Sequence, residues 1–256
     1  VDAARMLGAP VERVRVRMTG LNHLSFVTEV FLDGRPVLQR LIGEGRFDAR
    51  VVQNVPVEDG MRELAATLGL IPSPYLQYYY FEREMLARER EEAETVGTRG
   101  EQILAMQDEL FALYRDPALR EKPRQLEKRG GAYYSTVATA LMEALLSPAG
   151  TEMTLCCRNG GALPELDAGA VVEVNALADE SGVRPLAAGP LPPAVRGLVQ
   201  SVKAYESLTV EASVEGSRSK AINALMHHPL IHGYRNAVAV VDDLIRTFPQ
   251  YTGVLR

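Results

Sequence analysis

The sequence predicts an α+β fold. Strand-like runs are few and helical patterns are many, and the two kinds do not alternate as they do in a parallel α/β sheet. With 256 residues, the chain is long enough to bury one large core or two smaller ones. A composition of 46% hydrophobic and 24% charged residues is typical of a soluble globular protein.

Two strands are predicted near the start of the chain, after a short amphipathic helix over residues 1–8. The first strand is predicted over residues 11–18, because arginine and valine alternate from Arg13 to Arg17 and this period of two is typical of a half-buried strand. Residues 24–32 form a second strand that ends in Asp33-Gly34, a dipeptide that favours a hairpin turn. His23 therefore lies where two strands meet.

Helical patterns cover most of the remaining chain. They begin or end at recognisable signals, such as a proline at the first helical position, a Thr-x-x-Glu capping box or a terminal glycine. Three helices are predicted with their end signals: residues 58–68, which Gly69 closes, a helix from Tyr75 with Ser73 as its N-cap, and a helix that Thr98 and Glu101 begin. The helix from Tyr75 continues into an exposed charged stretch over 82–94. Further helical patterns cover residues 132–146, a long tract over 193–226, and 234–248. Two further strands are predicted over 151–157 and 170–177, and residues 43–54 carry no clear period.

Charge and cysteine content narrow the classes of partner and compartment. A net charge of -5 gives no excess of basic residues for binding nucleic acid or an anionic membrane. No apolar run reaches the ~20 residues that span a bilayer. The two cysteines, Cys156 and Cys157, are adjacent and cannot join distant segments, which favours a reducing compartment and a cytoplasmic protein. Their position on a predicted strand indicates buried, inert thiols.

The chain is expected to be part of a longer protein. It begins with Val1 in the middle of a helical pattern rather than with methionine. It also contains no glycine-rich phosphate loop of the dinucleotide-binding type. Any nucleotide-binding turn would therefore have to come from elsewhere.

Two polar motifs contain the candidate functional residues. The first, at 20–26, reads GLNHLSF, and the second, at 74–80, reads PYLQYYY. A histidine at a strand junction can present a ring nitrogen to a metal or a substrate, although it can equally be a satisfied core residue. Tyr78, Tyr79 and Tyr80 are better explained as packing residues than as catalytic ones.

A third group of polar residues is the histidine cluster near Pro229. His227, His228 and His232 are close in sequence, but their spacing does not place them on one helix face. This pattern disfavours a metal site there.

Together the motifs resemble family 4 of the glycoside hydrolases. The matching segments are 19–26, 74–79, Thr98-Arg99, 131–135, 158–160 and 203–212. The resemblance covers essentially the whole chain, residues 1–256, and is to the C-terminal substrate- and metal-binding domain of such enzymes, without their N-terminal Rossmann NAD domain. It implies a fold like the C-terminal domain of lactate and malate dehydrogenases, mostly helical with a small, mainly antiparallel sheet.

The resemblance also implies an activity. Family 4 enzymes hydrolyse glycosides by oxidation, elimination, addition and reduction, with NAD and a divalent metal, commonly manganese, as cofactors. Leu24 and Ser25, which follow His23, resemble the 6-phospho-β-glucosidase branch, whose substrates include cellobiose 6-phosphate. The alternatives are an α-glucosidase or α-galactosidase of the same mechanism and a non-catalytic oligomerisation domain. Relatives of this fold assemble as homo-oligomers, so a dimer or tetramer is expected.

Site residues follow from the same resemblance. His23 matches the metal ligand of the family, Tyr75 matches its proposed base, and Asn22 and Arg99 match substrate-binding positions. The cysteine ligand of the family would lie just before Val1, and Cys156 and Cys157 do not match it. We therefore expect the isolated chain to lack hydrolase activity.

Overall fold

The computed structural model describes residues 2–45, 57–126 and 134–255, and it confirms the α+β prediction. Within these ranges, all strand pairs are antiparallel. The strands are β1 (Val14–Leu21), β2 (Leu24–Leu32), β3 (Arg35–Pro36), β4 (Ile71–Pro72), β5 (Thr151–Arg158), β6 (Val171–Asp179) and β7 (Gly182–Pro185).

Helices make up most of the described chain. They are α1 (Asp2–Leu7), α2 (Leu38–Gly43), α3 (Met61–Leu68), α4 (Gln77–Tyr80), α5 (Glu82–Thr95), α6 (Arg99–Tyr114), α7 (Tyr134–Leu145), α8 (Pro193–Glu215), α9 (Arg218–His227), α10 (Tyr234–Thr247) and α11 (Pro249–Thr252). Two 3-10 turns, Val11–Arg13 and Pro74–Leu76, precede β1 and α4. No helix in the described ranges is both long and apolar enough to cross a membrane.

The sheet has the order β3-β2-β1-β6-β5, with β4 also paired to β2 and β7 also paired to β6. β1 and β2 form a hairpin from the Val14–Leu32 pair to the Leu21–Leu24 pair. A bulge between Arg17 and Met18 shifts the register within this hairpin. β2 is therefore paired along both edges, to β1 on one side and to β3 and β4 on the other.

Most predicted elements are confirmed, and the differences have local causes. The first strand begins three residues later than expected, because Val11–Arg13 forms a 3-10 turn. The predicted tract over 193–226 is two helices, because Gly216 adopts a left-handed φ of 66° and Ser217 then caps α9. α2, β3, β4 and β7 are short elements that were not predicted. Residues 46–54 of the segment without a period lie outside the described residues.

The main core lies between the sheet and α8. The largest buried side chains include Leu21 and Phe26 from the hairpin, Val174 from β6, and Val195 and Val199 from α8. A second core joins the other end of β2 to α2 and α3, and a third joins α9 to α10. At roughly 1.5–3 kcal/mol for each large apolar side chain, these contacts are the main source of stability.

One side chain bridges β1 and β6 beyond their short ladder of two residue pairs. Asn175 accepts a hydrogen bond from the Met18 N–H (2.9 Å) and donates to the Val16 carbonyl (2.9 Å). Its amide also donates to Glu152 on β5 (2.9 Å). The side chain thus satisfies two backbone groups of β1 next to the bulge and joins three strands.

Asn175→Ala is expected to lower the free energy of unfolding by about 2–3 kcal/mol, because it leaves the Met18 N–H and the Val16 carbonyl without partners. Urea unfolding followed by circular dichroism measures the change. The control is Asn236→Ala, which removes one exposed hydrogen bond to the His232 carbonyl and should cost at most about 1 kcal/mol. Equal losses in both variants would contradict the bridging role of Asn175.

Candidate functional site

The first candidate residue, His23, lies at the tip of the β1–β2 hairpin. Asn22 and His23 form the two-residue turn between the paired residues Leu21 and Leu24. Both turn residues are exposed, which contradicts the alternative of a satisfied core histidine. His23 has a φ of 64°, in the left-handed region that few residues other than glycine and asparagine adopt readily.

Gly20 allows the two strands to approach each other just below this tip. It has a φ of 143°, and a Cβ at this position would lie 2.3 Å from the Leu24 carbonyl oxygen and 2.7 Å from Ser25 Cα. Only glycine fits without displacing the backbone of β2. The glycine of the GLNHLSF motif is thus a structural requirement for the turn that presents His23.

The second candidate, Tyr75, is attached to the same strand from its other edge. β4 pairs with Phe26 and Val27 of β2, and the Ser73 N–H then donates to the Ser25 carbonyl (2.9 Å). Tyr75 follows in the Pro74–Leu76 turn, which the fully buried Leu76 anchors in the main core. Ser73 precedes the turn as predicted, but its side chain makes no capping hydrogen bond.

The structure brings His23 and Tyr75 into direct contact. Their rings stack with centroids 4.0 Å apart and an interplanar angle of 16°. In the described part of the chain, this stack is the one side-chain interaction of the His23 ring. Two residues that are distant in sequence thus form one surface at the start of β2, where a ring nitrogen and a phenol hydroxyl are available together.

Asn22 and Arg99 occupy different positions relative to this pair. Asn22 is adjacent to His23 at the exposed tip. Arg99 is the first residue of α6 and is also exposed. The helix begins with the predicted capping box, in which Thr98 and Glu101 form reciprocal hydrogen bonds. The capping box is confirmed, and the substrate-binding roles of Asn22 and Arg99 stay predictions.

Gln77 is a residue near the site that sequence patterns did not single out. It is completely buried, and its Oε1 accepts a hydrogen bond from the Glu58 N–H (3.0 Å), whereas its Nε2 has no hydrogen-bond partner among the described residues. This contact ties the start of α4 to the segment before α3. A glutamine between a leucine and three tyrosines gives no sequence signal for such burial.

The other tyrosines of the motif are packing residues, as predicted. Tyr79 and Tyr80 are half-buried against the main core, and Tyr78 lies near Glu89. Burial raises the pKa of all three phenols, so they stay protonated at neutral pH. Burial thus opposes the loss of a proton that a tyrosine needs before it can act as a base.

The histidines near Pro229 do not converge. His228 is half-buried between Tyr79 and Tyr205, with ring centroids 5.9 and 4.7 Å away, whereas His232 lies 3.2 Å from Glu82. Among the described residues, no group of three histidine, cysteine, aspartate or glutamate side chains is placed to hold a metal ion.

Asn159, in the segment 158–160 that resembles the family, shapes a loop. Its Nδ2 donates to the carbonyls of Leu163, Leu166 and Asp167, and its Oδ1 accepts from the Leu163 N–H. The side chain is fully buried and has its hydrogen bonds satisfied within the loop. It has no group left for a substrate.

The two cysteines lie on β5 as predicted, but the prediction that both are buried is wrong. Cys156 is exposed and Cys157 is half-buried, because β5 is an edge strand and one of its faces is uncovered. Desolvation raises the pKa of both thiols, and the neighbouring Glu173 raises that of Cys156 further. Both thiols are thus protonated at neutral pH and poorly reactive.

Comparison with known proteins identifies related chains. The family model for the C-terminal domain of family 4 glycosyl hydrolases matches residues 18–231. A probable 6-phospho-beta-glucosidase of Bacillus subtilis is 37% identical over 254 residues, covering 98% of this chain and 57% of the relative. A 6-phospho-alpha-glucosidase of Leptotrichia buccalis is 25% identical over 275 residues, covering 100% of this chain and 60% of the relative.

Solved structures agree with these matches. The 6-phospho-beta glucosidase of Thermotoga maritima, solved with manganese, NAD+ and glucose-6-phosphate, superposes with a TM-score of 0.82 at 29% identity. The match covers 98% of this chain and 58% of that chain. The chain thus spans between 57% and 60% of the length of these relatives.

Gly20→Ala is expected to lower the free energy of unfolding by about 2–4 kcal/mol, because the added Cβ meets the backbone of β2 at a strained φ. Urea unfolding measures the loss. The matched control is Gly8→Ala, which also has a left-handed φ (61°) but open space around it, and should cost about 1 kcal/mol. If Gly8→Ala cost as much as Gly20→Ala, close strand approach would not be the reason for glycine at position 20.

His228 is expected to make the fold less stable in mild acid. Burial lowers its pKa below 6.5, and its Nδ1 accepts a hydrogen bond from the Leu230 N–H (3.3 Å) that protonation removes. At pH values between the lowered pKa of folded His228 and 6.5, the unfolded chain binds more protons than the folded chain. The stability is therefore retained above pH 6.5 and lost as the pH falls below it. His228→Gln should remove this component from unfolding curves measured between pH 7.5 and 5.5, whereas replacing the exposed His227 by Gln should not. An unchanged pH dependence in His228→Gln would refute the assignment.

Proposed function

Because this chain belongs to the family 4 glycosyl hydrolases, we propose that it is the substrate- and metal-binding domain of a 6-phospho-β-glucosidase. The observation that supports this most is the stack of the exposed His23 on Tyr75. It places an imidazole and a phenol side by side at the tip of a rigid hairpin. These are the two groups that the family resemblance assigns to metal binding and to proton abstraction.

His23 fits the role of one ligand in a metal site shared with residues outside the described ranges. Its ring is exposed, and neither of its nitrogens is hydrogen-bonded within the described chain, so a nitrogen donor is available. A divalent cation such as manganese, when bound, would act as a Lewis acid on the sugar hydroxyls. A single imidazole holds such an ion weakly, which is why we propose additional ligands from elsewhere in the complete protein.

Tyr75 is proposed as the base that removes the proton from carbon 2 of the sugar. Its side chain is half-buried and its ring stacks on the imidazole of His23, which places the phenol next to the proposed metal ligand. Asn22 and Arg99 are proposed to bind the substrate, with the guanidinium suited to a phosphate or a sugar hydroxyl. NAD is proposed to bind outside this chain, whose sequence contains no glycine-rich dinucleotide turn.

The preference for β-glucosides is supported by sequence similarity rather than by a substrate contact. Leu24 and Ser25, the residues that resemble the β-branch, are both buried at 2% exposure. They therefore mark the branch of the family without touching a ligand at the hairpin tip. The substrate we propose is a 6-phospho-β-glucoside such as cellobiose 6-phosphate, and the α-specific enzyme remains the alternative.

A second candidate function is self-association without catalysis. The apolar side chains of α6 are not all covered by the described residues, since Leu110 is buried whereas Leu104 is 62% and Phe111 is 55% exposed. On α7, Met142 is also 62% exposed. Exposed apolar side chains of this kind support the proposal that the protein is a homo-oligomer. They favour a purely structural role only if no turnover is found.

The test is hydrolysis of 4-nitrophenyl 6-phospho-β-glucoside and of its α anomer by the complete gene product that contains this chain, with NAD+, Mn²⁺ and a reductant. We expect the β anomer to be cleaved at least about 10-fold faster. Tyr75→Phe should lower kcat by about 10²–10⁴-fold, the range for loss of a general base, and Tyr78→Phe, in the same motif, should have little effect. His23→Asn should weaken Mn²⁺ binding, while Asn suits the left-handed φ.

Each other outcome has a definite meaning. Faster cleavage of the α anomer would overturn the β assignment. Oligomers without turnover of either anomer would favour the structural role. Turnover by the 256-residue chain alone would contradict the division of the site between this chain and the rest of the protein.

A further inference from the structure

His23 lacks the usual support of a metal-binding histidine. Such a histidine commonly donates its second ring N–H to a carboxylate or a backbone carbonyl, which fixes the orientation of the ring. In the described part of the chain, the His23 ring makes no hydrogen bond or ion pair. The imidazole is also exposed at a hairpin tip, where little else would restrict its rotation.

The stack on Tyr75 is the interaction that can supply this support. A centroid distance of 4.0 Å with a 16° interplanar angle places the two rings in full van der Waals contact. The backbone that carries Tyr75 is anchored, because Leu76 is fully buried next to it and the Ser73–Ser25 hydrogen bond fixes the turn to β2. A half-buried ring on an anchored turn therefore lies against the exposed ring of His23.

We infer that Tyr75 is a positioning residue for His23, and that its aromatic ring, separately from its hydroxyl, orients the imidazole. The ring and the hydroxyl of one side chain would then have different tasks. The orientation of His23 follows from the stack alone, whereas its use in metal binding rests on the proposed function. Phenylalanine at position 75 should preserve the orientation, and an aliphatic residue should abolish it.

NMR of the histidine rings in the 256-residue chain tests this directly, since the chain has four histidines. In the wild type, the His23 ring protons should be shifted upfield of those of the exposed His227 by the ring current of Tyr75. Tyr75→Phe should retain the shift, and Tyr75→Leu should lose it. The matched control is Tyr78→Leu, which alters a neighbouring tyrosine without a ring contact to His23 and should leave the shift unchanged.

Two further measurements keep the test decisive. The signals of His228, in a different part of the fold, report whether Tyr75→Leu is folded. If that variant is unfolded, His23→Asn provides the reverse experiment, in which the ring protons of Tyr75 should lose their upfield shift. An unchanged His23 shift in folded Tyr75→Leu, or an unchanged Tyr75 shift in His23→Asn, overturns the inference.

A titration with Mn²⁺ alone separates this inference from the proposed function. If both hold, broadening of the His23 signals should need about 10-fold more Mn²⁺ in Tyr75→Leu than in the wild type or Tyr75→Phe, the effect typical of losing a supporting contact to a ligand. If the ring shifts behave as expected but Mn²⁺ never broadens His23, the stack is confirmed and the proposed metal role fails. Equal Mn²⁺ requirements in all three proteins would show that ring orientation does not control binding.

Discussion

The site depends on the pairing of β2 with a different partner along each of its edges. β1 holds one edge and delivers His23 through the hairpin tip, and β4 holds the other and delivers Tyr75 through the turn that follows it. Both side chains are thus attached to the first residues of one strand. Because the ladder hydrogen bonds on the two edges are independent, a change in either one moves one ring relative to the other. Glycine is required at position 20, since the close approach of β1 and β2 there leaves no space for a side chain.

Elements that depend on a few neighbouring residues could be predicted from the sequence. β2 has the bounds predicted from its strand-like run and the Asp33-Gly34 turn, and α3 ends at a left-handed Gly69. The capping box that begins α6 forms with the predicted partners. Each of these features is decided within about six residues of chain, where propensity, capping and turn chemistry act together and no distant contact can override them.

Features that depend on distant segments could not be predicted in this way. Asn175 on β6 contacts β1 across about 160 residues of sequence and also joins Glu152 on β5, and no local pattern indicates these contacts. The capping box predicted where α6 begins, but no local pattern could show that its Leu104 and Phe111 are left exposed by the described residues. For the site itself, motif resemblance named His23 and Tyr75, whereas the ring contact between them follows only from the pairing of β4 with β2.

The energetics of the hairpin tip explain why a histidine there points to chemistry rather than to stability. A left-handed φ costs a non-glycine residue roughly 1 kcal/mol, and an aromatic stack returns about 0.5–1.5 kcal/mol. The two effects nearly cancel, so the stacked histidine stabilises the turn little more than the asparagine or glycine that such a φ favours would. An exposed imidazole without hydrogen bonds adds nothing further to the fold. The exposed ring stacked on Tyr75 instead fits the role we propose, in which an accessible ring nitrogen held in one orientation binds a ligand with little loss of entropy.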